Sequence, residues 1–259
     1  MVIRRIRQHV AAHNWLAVGI DLLIVVLGVF LGIQASNWNE ARLEAVQGAS
    51  YRQRLIDELD FNIRQHRQQL AYYQQALGHG QTALATLEKG ATNDPTGFLI
   101  DALQLTQVDT SPAKSYIYQE MVSSGLVDSI GPEPVQQAAS DYYVQVAATD
   151  RELLEEHAYR NIVRGLVPYA VQAELQEKCG DRHVFHNARI IGVRLVETCD
   201  LRLDKSVAGA AAAALRNEPG IQQELVRYLG SIHERLQALQ DSLLLADRLK
   251  KSLREPAAA

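Results

Sequence analysis

The sequence predicts an all-α protein: an N-terminal transmembrane helix continuing into an elongated helical bundle, with one short irregular or extended segment near residues 183–197. Three observations predict it. Residues 15–38, WLAVGIDLLIVVLGVFLGIQASNW, hold twenty consecutive positions (16–35) at which only Asp21 and Gln34 are polar. Two later stretches, residues 56–87 and 221–246, place apolar side chains at alternating three- and four-residue steps. The composition, with four Phe and ten Tyr beside many Ala, Leu and Gln, favours helices over strands.

The first element is the span. A helix rises about 1.5 Å per residue, so twenty residues match a hydrocarbon core of roughly 30 Å. Trp15 and Trp38, the two tryptophans of the chain, stand at its ends as interface anchors. The apolar run is longer than a cleaved signal peptide needs, and no A-x-A-like site follows it, so an uncleaved signal anchor is expected. Arg4, Arg5 and Arg7 precede the span without an acid, whereas Asn39, Glu40, Arg42 and Glu44 follow it. Basic flanks stay on the cytoplasmic side. The expected organisation is a cytoplasmic basic tail (1–14), the span (15–38), a helical-bundle domain outside the cytoplasm (39–254) and a disordered tail (255–259). Bacterial inner membrane is the expected location.

Within the span, Gly28 and Gly32 form a Gly-x-x-x-Gly that Ser36 extends by one turn. Small residues four apart let helix backbones approach closely in lipid, so a second copy of the chain is one expected partner, beside the bilayer itself. Asp21, seven residues before Gly28, falls on nearly the same face; a hydrated or helix-packing role ranks above ion transfer.

After the span, residues 39–89 read as a continuing helix with a seam of Ile56, Leu59, Ile63, His66, Leu70, Tyr73, Leu77, Gly80, Leu84 and Leu87. His66 is expected to be packed rather than a ligand. Gly78 and Gly80 are expected to bend or loosen the helix. The run Lys89-Gly90-Ala91-Thr92-Asn93-Asp94-Pro95 ends it. A short helix over 98–107 follows. Ser111-Pro112 reads as an N-cap with proline at N1, opening a helix that ends at Gly125. Gly131-Pro132-Glu133-Pro134 starts a long helix through Tyr142 and Tyr143, broken near Pro168 and reaching about Glu177. Residues 179–200 are the least helical; a short extended segment and an irregular packed loop both fit. Residues 205–217 form a small alanine-rich helix, and Pro219-Gly220 separates it from a final helix over 221–254. The seam of that helix, Ile221, Leu225, Leu229, Ile232, Leu236, Leu239, Leu243 and Ala246, matches that of residues 56–87, so the two are expected to pack antiparallel in one bundle.

Residues 21–40 resemble a family of bacterial single-pass membrane proteins known only as a domain of unknown function. The likeness rests on Asp21, the aliphatic run through Gly28 and Gly32, and the ending Gln34-Ala35-Ser36-Asn37-Trp38-Asn39-Glu40. It continues at Ser123-Ser124-Gly125 and the helix bearing Tyr142 and Tyr143, and weakens beyond about residue 145. Asp21 stands where the commoner pattern has Glu. The resemblance implies an N-terminal anchor and a helical domain, and no activity.

The formal charge is −4; without the three N-terminal arginines the remainder carries −7, which argues against nucleic acid as a partner. No Gly-x-Ser-x-Gly elbow, phosphate-binding loop or His-Glu-x-x-His occurs. Cys179, His183, His186 and Cys199 make a two-Cys, two-His set, but their spacing matches no familiar zinc site. Two cysteines in a domain placed outside the cytoplasm favour a Cys179–Cys199 disulfide over metal. The expected function is a non-enzymatic structural or protein-interaction module, membrane-anchored and exposed to the periplasm, with no cofactor and an unidentified membrane or periplasmic protein as partner. A ligand-sensing helical domain acting through a membrane partner is the alternative, and a metal-dependent hydrolase built on His183 and His186 ranks below it.

Overall fold

The structure, a computed structural model, describes residues 15–255, with the side chains of residues 15–17 left aside. Arg4, Arg5, Arg7 and the tail 256–259 therefore lie outside the described residues, as does the Trp15 side chain. Helices dominate, and one two-stranded sheet interrupts them. The chain forms two compact units, Met1–Tyr51 and Arg52–Ala259. Helix α1 is Trp15–Lys89, 75 residues without interruption.

In the first unit α1 is long and apolar enough to cross a membrane. Its large apolar side chains from Ile20 to Ile33 are 48–64% exposed, which water would penalise heavily.

In the second unit α1 continues from Arg52. The Asp94 side chain caps α2 (Pro95–Gln104) by accepting from Gly97 N. α3 (Tyr116–Ser123) ends in a Schellman motif: Leu126 N donates to Met121 O and Gly125 N to Val122 O, with Gly125 at φ +67°. A 3₁₀ turn (Val127–Ile130) leads to α4 (Glu133–Leu153), α5 (Ala158–Leu166) and α6 (Tyr169–Cys179). Strands β1 (Arg182–His186) and β2 (Arg189–Arg194) form an antiparallel hairpin. α7 (Lys205–Arg216), capped by Asp204, and α8 (Ile221–Arg254) complete the fold.

The two long helices pack antiparallel, as their matched seams predict. Asp60 meets Lys250, Tyr73 meets Arg235 and Gly80 meets Leu229, so positions rise along one helix as they fall along the other. α4 fits against both: Tyr143 Oη donates to Glu58 of α1 (2.6 Å), and Thr149 Oγ1 contacts Ser242 Oγ of α8 (3.0 Å).

Four readings of the sequence are corrected. Ser111-Pro112 opens no helix; α3 starts at Tyr116, and the chain before it is irregular. Its backbone is bonded by α1 side chains instead. Asn62 Nδ2 donates to Lys114 O (2.8 Å), and Asn62 Oδ1 accepts from Lys114 N (2.8 Å). Gln65 and Gln69 both donate to Ser111 O (2.6 and 3.0 Å), Tyr73 Oη donates to Asp109 O (2.9 Å), and Glu58 accepts from Ile117 N (3.0 Å). The helix from Glu133 breaks at Leu154–His157 as well as near Pro168. The short helix expected over 98–107 spans Pro95–Gln104, starting at the proline that fits its first turn. Gly78 and Gly80 do not interrupt α1. A Cβ on Gly80 would stand 2.5 Å from Leu229 Cδ2 and 2.8 Å from Leu105 Cδ2, whereas one on Gly78 would meet nothing within 4 Å.

Two outcomes follow from these packings. Gly80→Ala should destabilise the full chain in detergent by about 1–3 kcal/mol, through overpacking, while Gly78→Ala is neutral or stabilises by up to about 1 kcal/mol, measured by urea unfolding. Asn62→Ala leaves both Lys114 backbone groups without their partner and should cost about 2–3 kcal/mol, against less than about 0.5 kcal/mol for the exposed Gln74→Ala.

Candidate functional site

The residues singled out from the span lie on an open helix surface. A Cβ added at Gly28 or at Gly32 meets nothing within 4 Å, Ser36 is exposed, Asp21 is half-exposed and Trp38 is 70% exposed. The surface is therefore free for lipid or for another helix.

In the body, Cys179 and Cys199 are joined by a disulfide, with Cα atoms 5.3 Å apart. It ties the end of α6 to the segment after β2, and Gln104 Nε2 holds the Cys179 carbonyl (2.9 Å). With both sulfurs in that bond, neither is available as a thiolate for a metal. His183 and His186 sit three residues apart on β1, and so project to opposite faces of the strand. Among the described residues no three His, Cys, Asp or Glu side chains converge as a metal site. His186 instead lines an open groove of about 390 Å³ with Asp57, Asp60, Phe61 and Arg64.

A larger groove of about 590 Å³ lies between α3 and α4. The rings of Tyr118 and Tyr143 stack in its wall, 4.3 Å apart and nearly parallel, beside Val144 and Val146. Asp150 stands in the same wall; burial pushes its carboxyl above the ordinary value, and a 3.4 Å bond from Ala113 N offsets part of that. This volume lies in the range of small-molecule sites.

The third concentration of chemistry is internal. Arg235 on α8 is fully buried, its guanidinium over the rings of Tyr73 and Tyr228 at 5.7 and 5.8 Å. Nη2 donates to Glu155 O and to His157 Nε2, both at 2.9 Å, while Nε and Nη1 have no hydrogen-bond partner among the described residues. Nearby, Arg160 and Arg164 of α5 donate through Nε to the carbonyl and hydroxyl of Thr106, each at 3.0 Å, just past the end of α2. Arg160 thus gives a partner to a carbonyl in the irregular chain that follows the helix. Tyr72 Oη bonds Asp181, whose carboxyl burial pushes up to about 6. His66 is buried, with Nδ1 against Gln69 Oε1 at 3.2 Å; burial lowers its pKa from 6.5. Of these residues only His66 and Tyr73 belong to the seam read from the sequence. The signal for the rest was three arginines, His157 and tyrosines spread over three helices and the break before α5, which carries no spacing.

Compared with known proteins, the chain matches no family, no curated protein and no solved structure.

Replacing both Cys179 and Cys199 with Ser should lower unfolding stability by roughly 3 kcal/mol by freeing the unfolded chain. Alkylation of the denatured full chain before and after reduction reads the bond directly. No label without reductant and two labels after it is the expected result.

Proposed function

We propose that this chain is a single-pass, membrane-anchored helical module displayed on the periplasmic side of a bacterial inner membrane, and that it acts by binding protein partners rather than by catalysis. One observation carries the reading: the apolar face of α1 between Ile20 and Ile33 is exposed all round, on a helix long enough to span a bilayer. Three basic residues before the span and a disulfide in the body support the orientation, since disulfides persist outside the reducing cytoplasm. The likeness of residues 21–40 to the uncharacterised single-pass family points the same way. The groove walled by Tyr118 and Tyr143 favours a second reading, a domain that senses a small ligand and signals through a membrane partner.

Alkaline phosphatase fused to the C-terminus should be active, and green fluorescent protein at the same position dark; the reverse pattern overturns the orientation. Cross-linking in intact cells followed by co-purification separates the two readings. A stable protein partner supports the first, and a small molecule with no partner favours the second. Gly28→Ile with Gly32→Ile should weaken self-association in a transmembrane reporter assay, modestly, because packing is the main attraction between helices in lipid. Equal pairing by the double variant would remove these glycines from any such contact.

A further inference from the structure

The Leu154–His157 break separates α4 from α5, and Arg235 of α8 hydrogen-bonds it at two points, Glu155 O and His157 Nε2. Arginine has donors and no acceptor. The 2.9 Å contact between Arg235 Nη2 and His157 Nε2 therefore requires an unprotonated Nε2, and so a neutral imidazole with its hydrogen on Nδ1. The geometry points to a proton-operated latch: we propose that protonation of His157 removes this bond, places two cations side by side, and loosens the start of α5 from α8.

Three features of the site oppose the charge. The proton would take away an acceptor of a fully buried guanidinium whose Nε and Nη1 have no hydrogen-bond partner among the described residues. It would set a like charge at contact distance. It would also put a cation on the residue that caps the α5 N-terminus, whose carbonyl accepts from Arg160 N, where the helix dipole disfavours positive charge. The other groups around the ring come from every side. α8 brings Glu234 and Tyr228, the latter's ring 4.8 Å from the imidazole. Glu152 and Glu155 come from the end of α4 and the break, Arg160 and Arg164 of α5 act on the neighbouring Tyr228, and Tyr73 of α1 lies across the guanidinium. Glu155 and Glu234 favour the proton, but desolvation and Arg235 outweigh them, and the pKa of His157 is lowered from 6.5. His157 is only half-buried, so bulk protons reach it.

Because the folded form holds the neutral ring more tightly than the unfolded chain does, the latch's contribution is complete above pH 6.5. It is lost as pH falls through the lower, folded pKa. His66, buried and bonded to Gln69, loses stability over the same range with the same sign, so the test must separate the two.

The full chain in detergent, labelled with ¹⁵N at histidine, reports the tautomer and the titration of His157 directly. The expected signals are an unprotonated Nε2 at pH 7.5 and a midpoint below 6.5. A protonated Nε2 in the neutral ring, or a midpoint at or above 6.5, overturns the proposal. The second measurement is the thermal midpoint between pH 7.5 and pH 5.0 for the wild type and for His157→Gln, whose amide oxygen still accepts from Arg235 but does not titrate. The wild type should lose about 2–4 °C more than the variant over this interval. Hydrogen-exchange protection, corrected for intrinsic rates, should fall at residues 158–163 in the wild type and hold at 239–253. Equal pH dependence in the two proteins, or loss spread evenly over the body, assigns the effect elsewhere and overturns the latch.

Discussion

Chain that is neither helix nor strand still carries one N–H and one C=O per residue, and burying such a group without a partner costs about 1–3 kcal/mol. That constraint governs this body, because α1 is crossed by two irregular stretches. Both are answered from the helix. Glu58, Asn62, Gln65, Gln69 and Tyr73, spaced along one face, bond the segment leading into α3. Gln68 and Gln75, one heptad apart, hold the carbonyls of Val193 and Val196 on the other side (3.0 and 2.9 Å). The helix thus serves as a rack of amides. Its apolar seam makes the core, while its polar stripes decide where the loops lie.

The same logic explains the company kept by Arg160, Arg164 and Arg235. Arg160 and Arg164 bond the carbonyl and hydroxyl of Thr106 in the chain just past α2, and Arg235 takes up Glu155 O at the break after α4. A guanidinium can be buried where its plane lies over aromatic rings, and for Arg235 Tyr73 and Tyr228 supply those rings. A tyrosine-rich, phenylalanine-poor interior is what this arrangement needs: the rings fill space while the hydroxyls of Tyr73, Tyr142 and Tyr143 join the polar network.

Much of the fold could be read from the chain because its helices obey local rules. The seams of α1 and α8, the breaker before Pro95, Gly125 past the end of α3 and the Pro219-Gly220 break all have a nearest-neighbour cause. The start of α2 at Pro95 has one too, in the Asp94 cap, but two other misread places lack it. Ser111-Pro112 carries a helix-start signature, yet Gln65 and Gln69 hold that backbone from some forty residues away. The break at Leu154–His157 has neither Gly nor Pro; it is fixed by Arg235, eighty residues on in the case of Glu155. A glutamine stripe on a helix looks the same in sequence whether it faces water or a loop. The site residues divide likewise. The span and its glycines stand out by composition, whereas the Arg235–His157 contact exists only once three helices have met.

The hairpin shows what such anchoring permits. Its base is fixed three times over, by the disulfide, by Gln68 and Gln75 and by the pairing of Arg182 with Arg194. Its tip turns on Asn187 and Ala188, both exposed and at positive φ, 48° and 60°, the backbone of a type I′ turn. The tip is exposed on a well-fixed base, and Asn187 and its neighbours His186 and Arg189 line the groove against α1, so Ala188 is the tip residue clear of that wall. With its ends held this firmly, added length between residues 187 and 188 loops outward into solvent, at the expense of the tight turn and of the groove wall that Asn187 helps to form.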